Sequence, residues 1–373
     1  MVQMNSVTPR IGVFLCRCHG SGSCEVLDFQ RLKDYLKKYS DVVFIEEHDN
    51  FCSDESRELF KKTIKRERLD RVLLGMCSPS KHLEEFRESA VEIGMNQYMV
   101  DAVNIREQIA YIHVEELEEA QLKLHDQFAM GLAKLRVTLP ADKVYAVVDE
   151  HKCNGCEICY TVCDKEAIKM VPDTHGRVKK ISSIDLDKCW GCGVCVTSCP
   201  VHAMDMTIYS NKEMTAQVDA FIENMRKGDL NVLILSCHWC AYPAADAAGK
   251  NRMNIDPHFR SIRTLCSGRV DPDWILKAIT SGADGVLLLG GKPHACHFES
   301  GNMRTMTRMK LIKLLLSQTG LHDNRFHVEW MDPEDPVRYA QVVNDFIADL
   351  RKLGPNPLAS IDSDYSSAKL KSA

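Results

Sequence analysis

The sequence predicts two α/β domains with parallel sheets, one on each side of a small cysteine-rich domain. Two observations lead to this prediction. Short apolar runs alternate with helix-patterned segments up to about residue 136 and again from residue 231. Between these regions, eight of the chain's 17 cysteines fall within residues 153–199. Alternation of strand and helix favours a parallel sheet covered by helices.

Composition excludes several classes of function. The 373 residues carry a net charge of −5, which argues against a nucleic-acid footprint. No apolar run approaches the roughly 20 residues of a membrane-spanning helix. The polar start, Met1 to Arg10, lacks the apolar core of a signal peptide. A cytoplasmic protein is therefore expected, in a compartment where thiols stay reduced.

The first region, residues 1–142, is predicted from three buried-strand patterns. They are IGVFLC (Ile11–Cys16), DVVFIEE (Asp41–Glu47) and RVLLGMC (Arg71–Cys77). The intervening segments FQRLKDYLKKY and SRELFKKTIKRE have helical spacing, and residues 105–136 predict one or two long amphipathic helices.

The middle region, residues 143–210, has only short strands, in VYAVVD and RVKKISSIDLD. The third region, residues 211–355, begins with a helix-patterned stretch and returns to α/β alternation. Its predicted strands are Asn231–Cys237, Ser261–Cys266 and Gly285–Gly291, and its last helix is Pro336–Leu353. Residues 356–373 are rich in Ser, Asp and Lys and are predicted to be a disordered tail.

The middle cysteines form the pattern C-x2-C-x2-C-x3-C twice, which is the ligand run of bacterial ferredoxins with two [4Fe–4S] centres. The last cysteine of each run crosses to the other centre. Zinc ribbons use single C-x2-C pairs, and a disulfide framework requires a secreted chain. The first ferredoxin set is therefore Cys153, Cys156, Cys159 and Cys199, and the second ferredoxin set is Cys189, Cys192, Cys195 and Cys163.

The third region holds four more cysteines, here called the C-terminal set. Each lies at or just beyond the carboxyl end of a predicted strand, where open α/β sheets bind ligands. Four thiols there would hold a further iron–sulfur centre or a zinc ion; the alternative is that they are ordinary buried cysteines. The set is Cys237, Cys240, Cys266 and Cys296.

In the first region, Cys16, Cys52 and Cys77 also lie near strand ends and are expected at one sheet edge. Spacing alone leaves open a metal site or simple burial, because C-x-C is not a standard cluster motif. Histidines near these cysteines are more often hydrogen-bond partners than ligands. They are His19, His238, His294 and His297.

No complete dinucleotide fingerprint and no Walker-A loop occurs in the sequence, so it predicts no FAD or NAD site.

Two stretches of sequence resemble known families. RIGVFLCRC, FCSDES, DRVLLGMCSPSKH and VNIREQ resemble the N-terminal domain of the A subunit of heterodisulfide reductase, and the ferredoxin segment resembles its carboxyl-terminal part. That family carries a large flavin-binding domain between these parts, which the chain lacks. The resemblance implies a [4Fe–4S] centre on an N-terminal set, with Cys24 as the leftover thiol. The N-terminal set is Cys16, Cys18, Cys52 and Cys77.

From about Asn231 to Leu353 the chain resembles the delta subunit of methyl-viologen-reducing hydrogenase. The resemblance rests on SCHWCAYPAAD, LCSGRVDP and ADGVLLLGGKPHACHFESGN, and it implies a [2Fe–2S] centre on the C-terminal set. Of the two cysteines in that family's G-C-H-P-G-D-C-H run, the first is replaced here by Gly291.

These resemblances imply an iron–sulfur electron-transfer subunit of a heterodisulfide-reductase/hydrogenase-type complex. Its expected partners are a flavin-containing subunit similar to heterodisulfide reductase A and a hydrogenase, formate dehydrogenase or other oxidoreductase. No catalytic site is identified in the sequence. The alternatives are a dithiol or disulfide reductase that uses Cys237 and Cys240, and a structural adaptor with zinc in its third region.

Overall fold

The computed structural model describes residues 8–18 and 26–360, and it confirms the predicted fold class: two parallel four-stranded sheets and a ferredoxin-like segment between them in sequence. The chain divides into two compact units. One comprises Met1–Asp142 with Ala248–Pro257, and the other comprises Lys143–Ala247 with His258–Ala373. The second unit therefore contains both the ferredoxin-like segment and most of the third region.

The N-terminal sheet has the strand order β2-β1-β3-β4, and all its neighbours are parallel. Its strands are β1 (Ile11–Cys16), β2 (Val42–His48), β3 (Arg71–Met76) and β4 (Val100–Asn104). Its helices are α1 (Phe29–Leu36), α2 (Asp54–Glu67), α3 (Pro79–Glu92) and α4 (Leu117–Val137).

Strand β1 is buried on both faces, which explains why its sequence is a continuous apolar run. Val13 and Leu15 join the core formed with α1 and α4. Phe14 and Cys16 join the opposite core, formed with α2 and α3. The period-2 alternation of a strand thus directs the Cys16 thiol toward the α2 and α3 side.

Strand β4 was not predicted, because Asp101 interrupts its apolar pattern. The buried Asp101 carboxylate accepts a hydrogen bond of 2.7 Å from Lys134 of α4. This ion pair allows a charged residue to occupy a buried strand position. Residues 105–136, predicted as one or two long helices, form a π-helical turn, Arg106–Ala110, and α4.

The ferredoxin-like segment consists of two antiparallel strand pairs, β5 with β8 and β6 with β7, and two one-turn helices. In chain order these are β5 (Ala146–Val148), α5 (Ile158–Thr161), β6 (Ile168–Pro172), β7 (Lys180–Ile184), α6 (Val194–Thr197) and β8 (Met204–Met206). Its two halves are related by a shift of 36 positions, as in Cys153 and Cys189. The shift also relates backbone contacts: Asp149 N–H donates to Ala203 O, and Asp185 N–H donates to Ala167 O.

The C-terminal sheet has the order β10-β9-β11-β12 with parallel neighbours, the same topology as the N-terminal sheet. Its strands are β9 (Val232–Cys237), β10 (Phe259–Thr264), β11 (Gly285–Gly291) and β12 (Phe326–Met331). Its helices are α7 (Asn211–Glu223), α8 (Ala241–Lys250), α9 (Pro272–Thr280), α10 (Gly301–Gln318) and α11 (Pro336–Leu353). The edge strand β12 was not predicted, since its half-buried sequence FHVEWM carries His and Glu between apolar residues.

The predicted tail begins too early. Asn356 is buried, and its side chain donates hydrogen bonds to the backbone oxygens of Ile279 and Ala283. A 3-10 turn, Pro357–Ser360, follows. The remainder of the predicted tail, residues 361–373, lies outside the described residues, as do Cys24 and His19.

Candidate functional site

Backbone amides of the ferredoxin-like segment are directed at cysteine sulfurs in symmetry-related pairs. Ser182 N lies 3.5 Å from Cys153 Sγ, and Ala146 N lies 3.5 Å from Cys189 Sγ. The last cysteine of each run receives a similar contact, from Ala167 N to Cys163 Sγ at 3.4 Å and from Ala203 N to Cys199 Sγ at 3.2 Å. Amide donors stabilise negative charge on sulfur, so the backbone is arranged for thiolates.

The second ferredoxin set is gathered around one pocket. All four of its cysteines line this pocket, together with Trp190 and Phe298. Burial raises the pKa of the Cys192 thiol to about 11. Asp164 follows Cys163 where Pro200 follows Cys199, and its carboxylate accepts a hydrogen bond from Ser300 N at 3.1 Å, next to the start of α10.

Two cysteines of the first ferredoxin set lie next to the side chain of Ser182. Its hydroxyl lies 3.1 Å from Cys159 Sγ and 3.6 Å from Cys153 Sγ. Cys199 packs against the apolar group that contains Cys153. Cys156, the remaining member of this set, is exposed.

The tight ferredoxin loops require glycine. Gly155 has φ +72°, and a Cβ atom there would lie 2.3 Å from the Lys180 carbonyl oxygen. Its counterpart Gly191 also has φ +72°, and a Cβ would lie 2.8 Å from Val144 O. Each glycine precedes the second cysteine of its run, so the tight turn lies between the first and second cysteines.

Gly155→Ala is expected to remove the first ferredoxin set's ability to bind iron, because the new methyl group collides with backbone. The matched control is Gly176→Ala: Gly176 has φ +68°, but a Cβ there meets no atom within 4 Å. The control carries only the left-handed strain, roughly 1–2 kcal/mol. Iron and acid-labile sulfide per chain are the measurement. Full iron content in Gly155→Ala would contradict this view of the loop.

The C-terminal set lies at the carboxyl ends of three neighbouring strands. Cys237 ends β9, Cys240 follows it, and Cys266 and Cys296 follow β10 and β11. The sulfurs of Cys266 and Cys296 are 3.9 Å apart. This contact lowers the pKa of Cys296 to about 6 and raises that of Cys266.

Two glycines lie directly against these sulfurs. A Cβ at Gly301 would be 2.5 Å from Cys266 Sγ and 3.4 Å from Cys296 Sγ. A Cβ at Gly291 would be 2.5 Å from Cys240 Sγ. The backbone therefore approaches the C-terminal set closely, and Gly291, which replaces a cysteine of the similar family, lies against the Cys240 thiol.

The N-terminal set has the same arrangement on its own sheet. Its four cysteines line a cavity of about 360 Å³, with Asn50, Phe51, Met76, His82, Phe86 and Arg106. Cys16 Sγ and Cys18 Sγ are 3.5 Å apart, and Cys18 has φ +50°. The contact with Cys18, together with burial, raises the pKa of Cys16, and burial raises the pKa of Cys77 to about 11.

The histidines near the C-terminal set have other contacts. The His297 ring stacks on Trp239 with 3.6 Å between centroids, and the backbone N–H of His238 donates to Thr264 O. Among residues 8–18 and 26–360, no three Cys, His, Asp or Glu side chains are grouped so that they could hold a single metal ion. No helix in the described part of the chain is long and apolar enough to cross a bilayer.

Sequence reasoning missed two buried residues, of which Ser182 contacts a cysteine sulfur and Arg269 lies against Gly193 of the second cysteine loop. Ser182 could have been found by aligning the two halves of the ferredoxin-like segment, since its counterpart is Ala146. Arg269 has no sequence signal of this kind, yet it is fully buried and donates to Tyr209 O at 3.0 Å and Asn211 Oδ1 at 2.9 Å. Burial lowers the Arg269 pKa to about 10.

Comparison with known proteins agrees with this architecture. The family model for the delta subunit of methyl-viologen-reducing hydrogenase matches residues 232–354, and that for a 4Fe-4S dicluster domain matches residues 152–203. The A subunit of the ferredoxin:CoB-CoM heterodisulfide reductase of Methanosarcina mazei is 39% identical over 217 residues. That match covers 58% of this chain but only 26% of the relative, so the chain spans about a quarter of that protein's length.

The third region has a relative that it covers almost completely. The iron–sulfur D subunit of the F420-non-reducing hydrogenase of Archaeoglobus profundus is 40% identical over 125 residues, which are 34% of this chain and 91% of the relative. The corresponding vhc D subunit of Methanococcus voltae is 37% identical over 119 residues, 32% of this chain and 83% of the relative. The chain therefore belongs, through residues 232–354, to the family of methyl-viologen-reducing hydrogenase delta subunits, here fused to a part similar to heterodisulfide reductase A.

Proposed function

We propose that this chain is an iron–sulfur electron-transfer subunit of a heterodisulfide-reductase/hydrogenase-type complex. The observation that supports it most is the pairing of backbone amides with the sulfurs of the doubled ferredoxin run. Bound iron–sulfur centres would supply one-electron transfer without bond making or breaking. The protein's contribution is to hold the thiolates, exclude water and place hydrogen-bond donors around sulfur.

Each cysteine set is assigned to one centre. The first and second ferredoxin sets would each hold a [4Fe–4S] centre, as the crossed ligand pattern requires. The C-terminal set would hold a [2Fe–2S] centre and the N-terminal set a third [4Fe–4S] centre. The shared topology of the two parallel sheets supports a centre on the N-terminal set, because both sheets place cysteines after the first, second and third strands in chain order.

Within the second unit, a packed contact joins the second ferredoxin set to the C-terminal set. Thr197 of α6 donates a 2.8 Å hydrogen bond to Gly268 O, and a Cβ at Gly268 would lie 2.7 Å from Val194. Val194 precedes Cys195, and Gly268 N–H donates to Cys266 Sγ at 3.3 Å. Close packing of this kind supports a relay of electrons between these two sets.

The dithiol or disulfide reductase alternative is disfavoured by burial. Cys237 and Cys240 are each only 5% exposed, so a disulfide substrate has little access to either sulfur. A reactive cysteine requires partial exposure.

The partners follow from the same proposal. One proposed partner is a flavin-containing subunit similar to heterodisulfide reductase A. A hydrogenase, formate dehydrogenase or other oxidoreductase would exchange electrons at the other end of the relay. A cytoplasmic location is proposed because the thiols must stay reduced to bind iron.

The anaerobically purified full chain is expected to contain about 14 irons, four in each of three [4Fe–4S] centres and two in the [2Fe–2S] centre. Iron, zinc and acid-labile sulfide are measured on the same sample, with EPR after reduction. About eight irons would leave only the two ferredoxin centres. One zinc ion per chain, together with the absence of an EPR signal from the third region, would identify a structural adaptor instead.

A further inference from the structure

The two halves of the ferredoxin-like segment differ at one buried position next to sulfur. Ser182 in β7 and Ala146 in β5 are counterparts 36 positions apart, and the backbone N–H of each is directed at a cysteine sulfur. Only Ser182 adds a hydroxyl, which lies 3.1 Å from Cys159 Sγ. The first ferredoxin set therefore has a hydrogen-bond donor that the second ferredoxin set lacks at the equivalent position.

We propose that the Ser182 hydroxyl donates a hydrogen bond to the thiolates of the first ferredoxin set and so raises the reduction potential of that centre. This inference rests on the proposed function, since it assumes a centre on these cysteines. A one-electron reduction adds one negative charge, and a donor to sulfur stabilises the more negative state. The hydroxyl proton stays on Ser182, and no bond is made or broken.

The geometry separates the two donors of Ser182. Its backbone N–H is directed at Cys153 Sγ at 3.5 Å, while the nearer sulfur for the hydroxyl is Cys159. Ser182 is only 3% exposed, and in the described part of the chain the polar contacts of its hydroxyl are with these two sulfurs. A buried hydroxyl requires a partner, and a donor in a low-dielectric site interacts more strongly with charge.

The fold itself does not require a hydroxyl here, because the equivalent strand position carries the methyl group of Ala146. Ser182→Ala should therefore retain the strand, the amide contact to Cys153 and the centre. Ser182 is a positioning and tuning residue in this proposal, so the informative measurement is a potential.

The test is an anaerobic redox titration of the full chain, monitored by EPR, with iron content measured on every sample. Ser182→Ala should lower the midpoint potential of one [4Fe–4S] centre and leave the other unchanged. At the wild-type midpoint, the ratio of reduced to oxidised centre should fall roughly tenfold, the size expected for one hydrogen bond to a charged group. Ser182→Thr, which retains the hydroxyl, should restore most of the potential.

Two matched variants decide the interpretation. Ala146→Ser adds the hydroxyl in the other half and should raise the potential of the other centre. Ser183→Ala alters the adjacent residue, whose side chain lies on the opposite face of β7, and should move neither potential. An unchanged potential in iron-replete Ser182→Ala, or an equal shift in Ser183→Ala, overturns the proposal.

If Ser182→Ala loses iron, Ala146→Ser alone decides, and its failure to raise a potential overturns the inference. The proposed function fails differently, by the absence of two [4Fe–4S] signals in the wild-type chain.

Discussion

Cys237→Ser is expected to remove the C-terminal centre while the other centres remain. Serine is a poor replacement for a thiolate ligand, and Cys237 lies buried at the end of β9, next to Cys240 and on the same sheet edge as Cys266 and Cys296. Iron should fall by about two per chain, the content of one [2Fe–2S] centre. Electron transfer through this protein to its redox partner should fall more than the roughly 10–100-fold that loss of an outer-shell partner costs.

The control for this variant is Cys24→Ser, because Cys24 is the cysteine left over when the four sets of four are assigned. It should retain full iron and full electron transfer. The decisive contrary result is a Cys237→Ser protein with unchanged iron that has lost only turnover on a disulfide. That outcome would show that the third region acts as a dithiol enzyme and not as part of an electron relay.

Phe60→Ala is expected to destabilise the N-terminal unit by about 3–5 kcal/mol, the usual cost of emptying a large aromatic site in a core. Phe60 is fully buried in α2, and its ring centroid lies 5.3 Å from Phe14 and 5.2 Å from Phe86. Phe51, a further ring neighbour, also lines the cavity of the N-terminal set. Loss of this ring should therefore weaken iron binding at Cys16, Cys18, Cys52 and Cys77.

Hydrogen exchange of β3 is the measurement, because all four tryptophans lie in the second unit and fluorescence does not report on this core. The matched control is Leu59→Ala, the adjacent residue of α2, which is 38% exposed. Exchange in Arg71–Met76 should be much faster in Phe60→Ala than in Leu59→Ala. Equal rates in the two variants would show that the aromatic core does not support this sheet.

Strands buried on both faces were predicted from their continuous apolar runs, and β2 and β10 were predicted although they carry polar residues, but β4 and β12 were missed. Continuous apolar runs identified β1, β3, β9 and β11, since a strand covered on both sides has no polar face. Strand β4 was missed because Asp101 is buried through its ion pair with Lys134, a partner 33 positions away. Strand β12 was missed because a half-buried edge strand carries His and Glu.

The four cysteine sets also differ in how far local sequence predicts them. Ferredoxin cysteine spacing is a local property, because three ligands lie on one short loop, and so the sequence predicted both sets. The N-terminal and C-terminal sets bring together residues from three strands each. The sequence predicted that these cysteines lie at strand ends and share a sheet edge, but which of them are neighbours depends on the strand orders β2-β1-β3 and β10-β9-β11, which a single sequence does not specify.

By itself, the sequence determined the fold class and the doubled cysteine run, because both are encoded in short-range periodicity and spacing. Only the tertiary structure decided which groups surround each sulfur. The Ser182 hydroxyl is 23 positions from Cys159 along the chain yet 3.1 Å from its sulfur. Gly301 is likewise adjacent to Cys266 only because parallel strands end at one edge. Hydrogen bonds and close approaches across such separations arise from packing, which local patterns do not record.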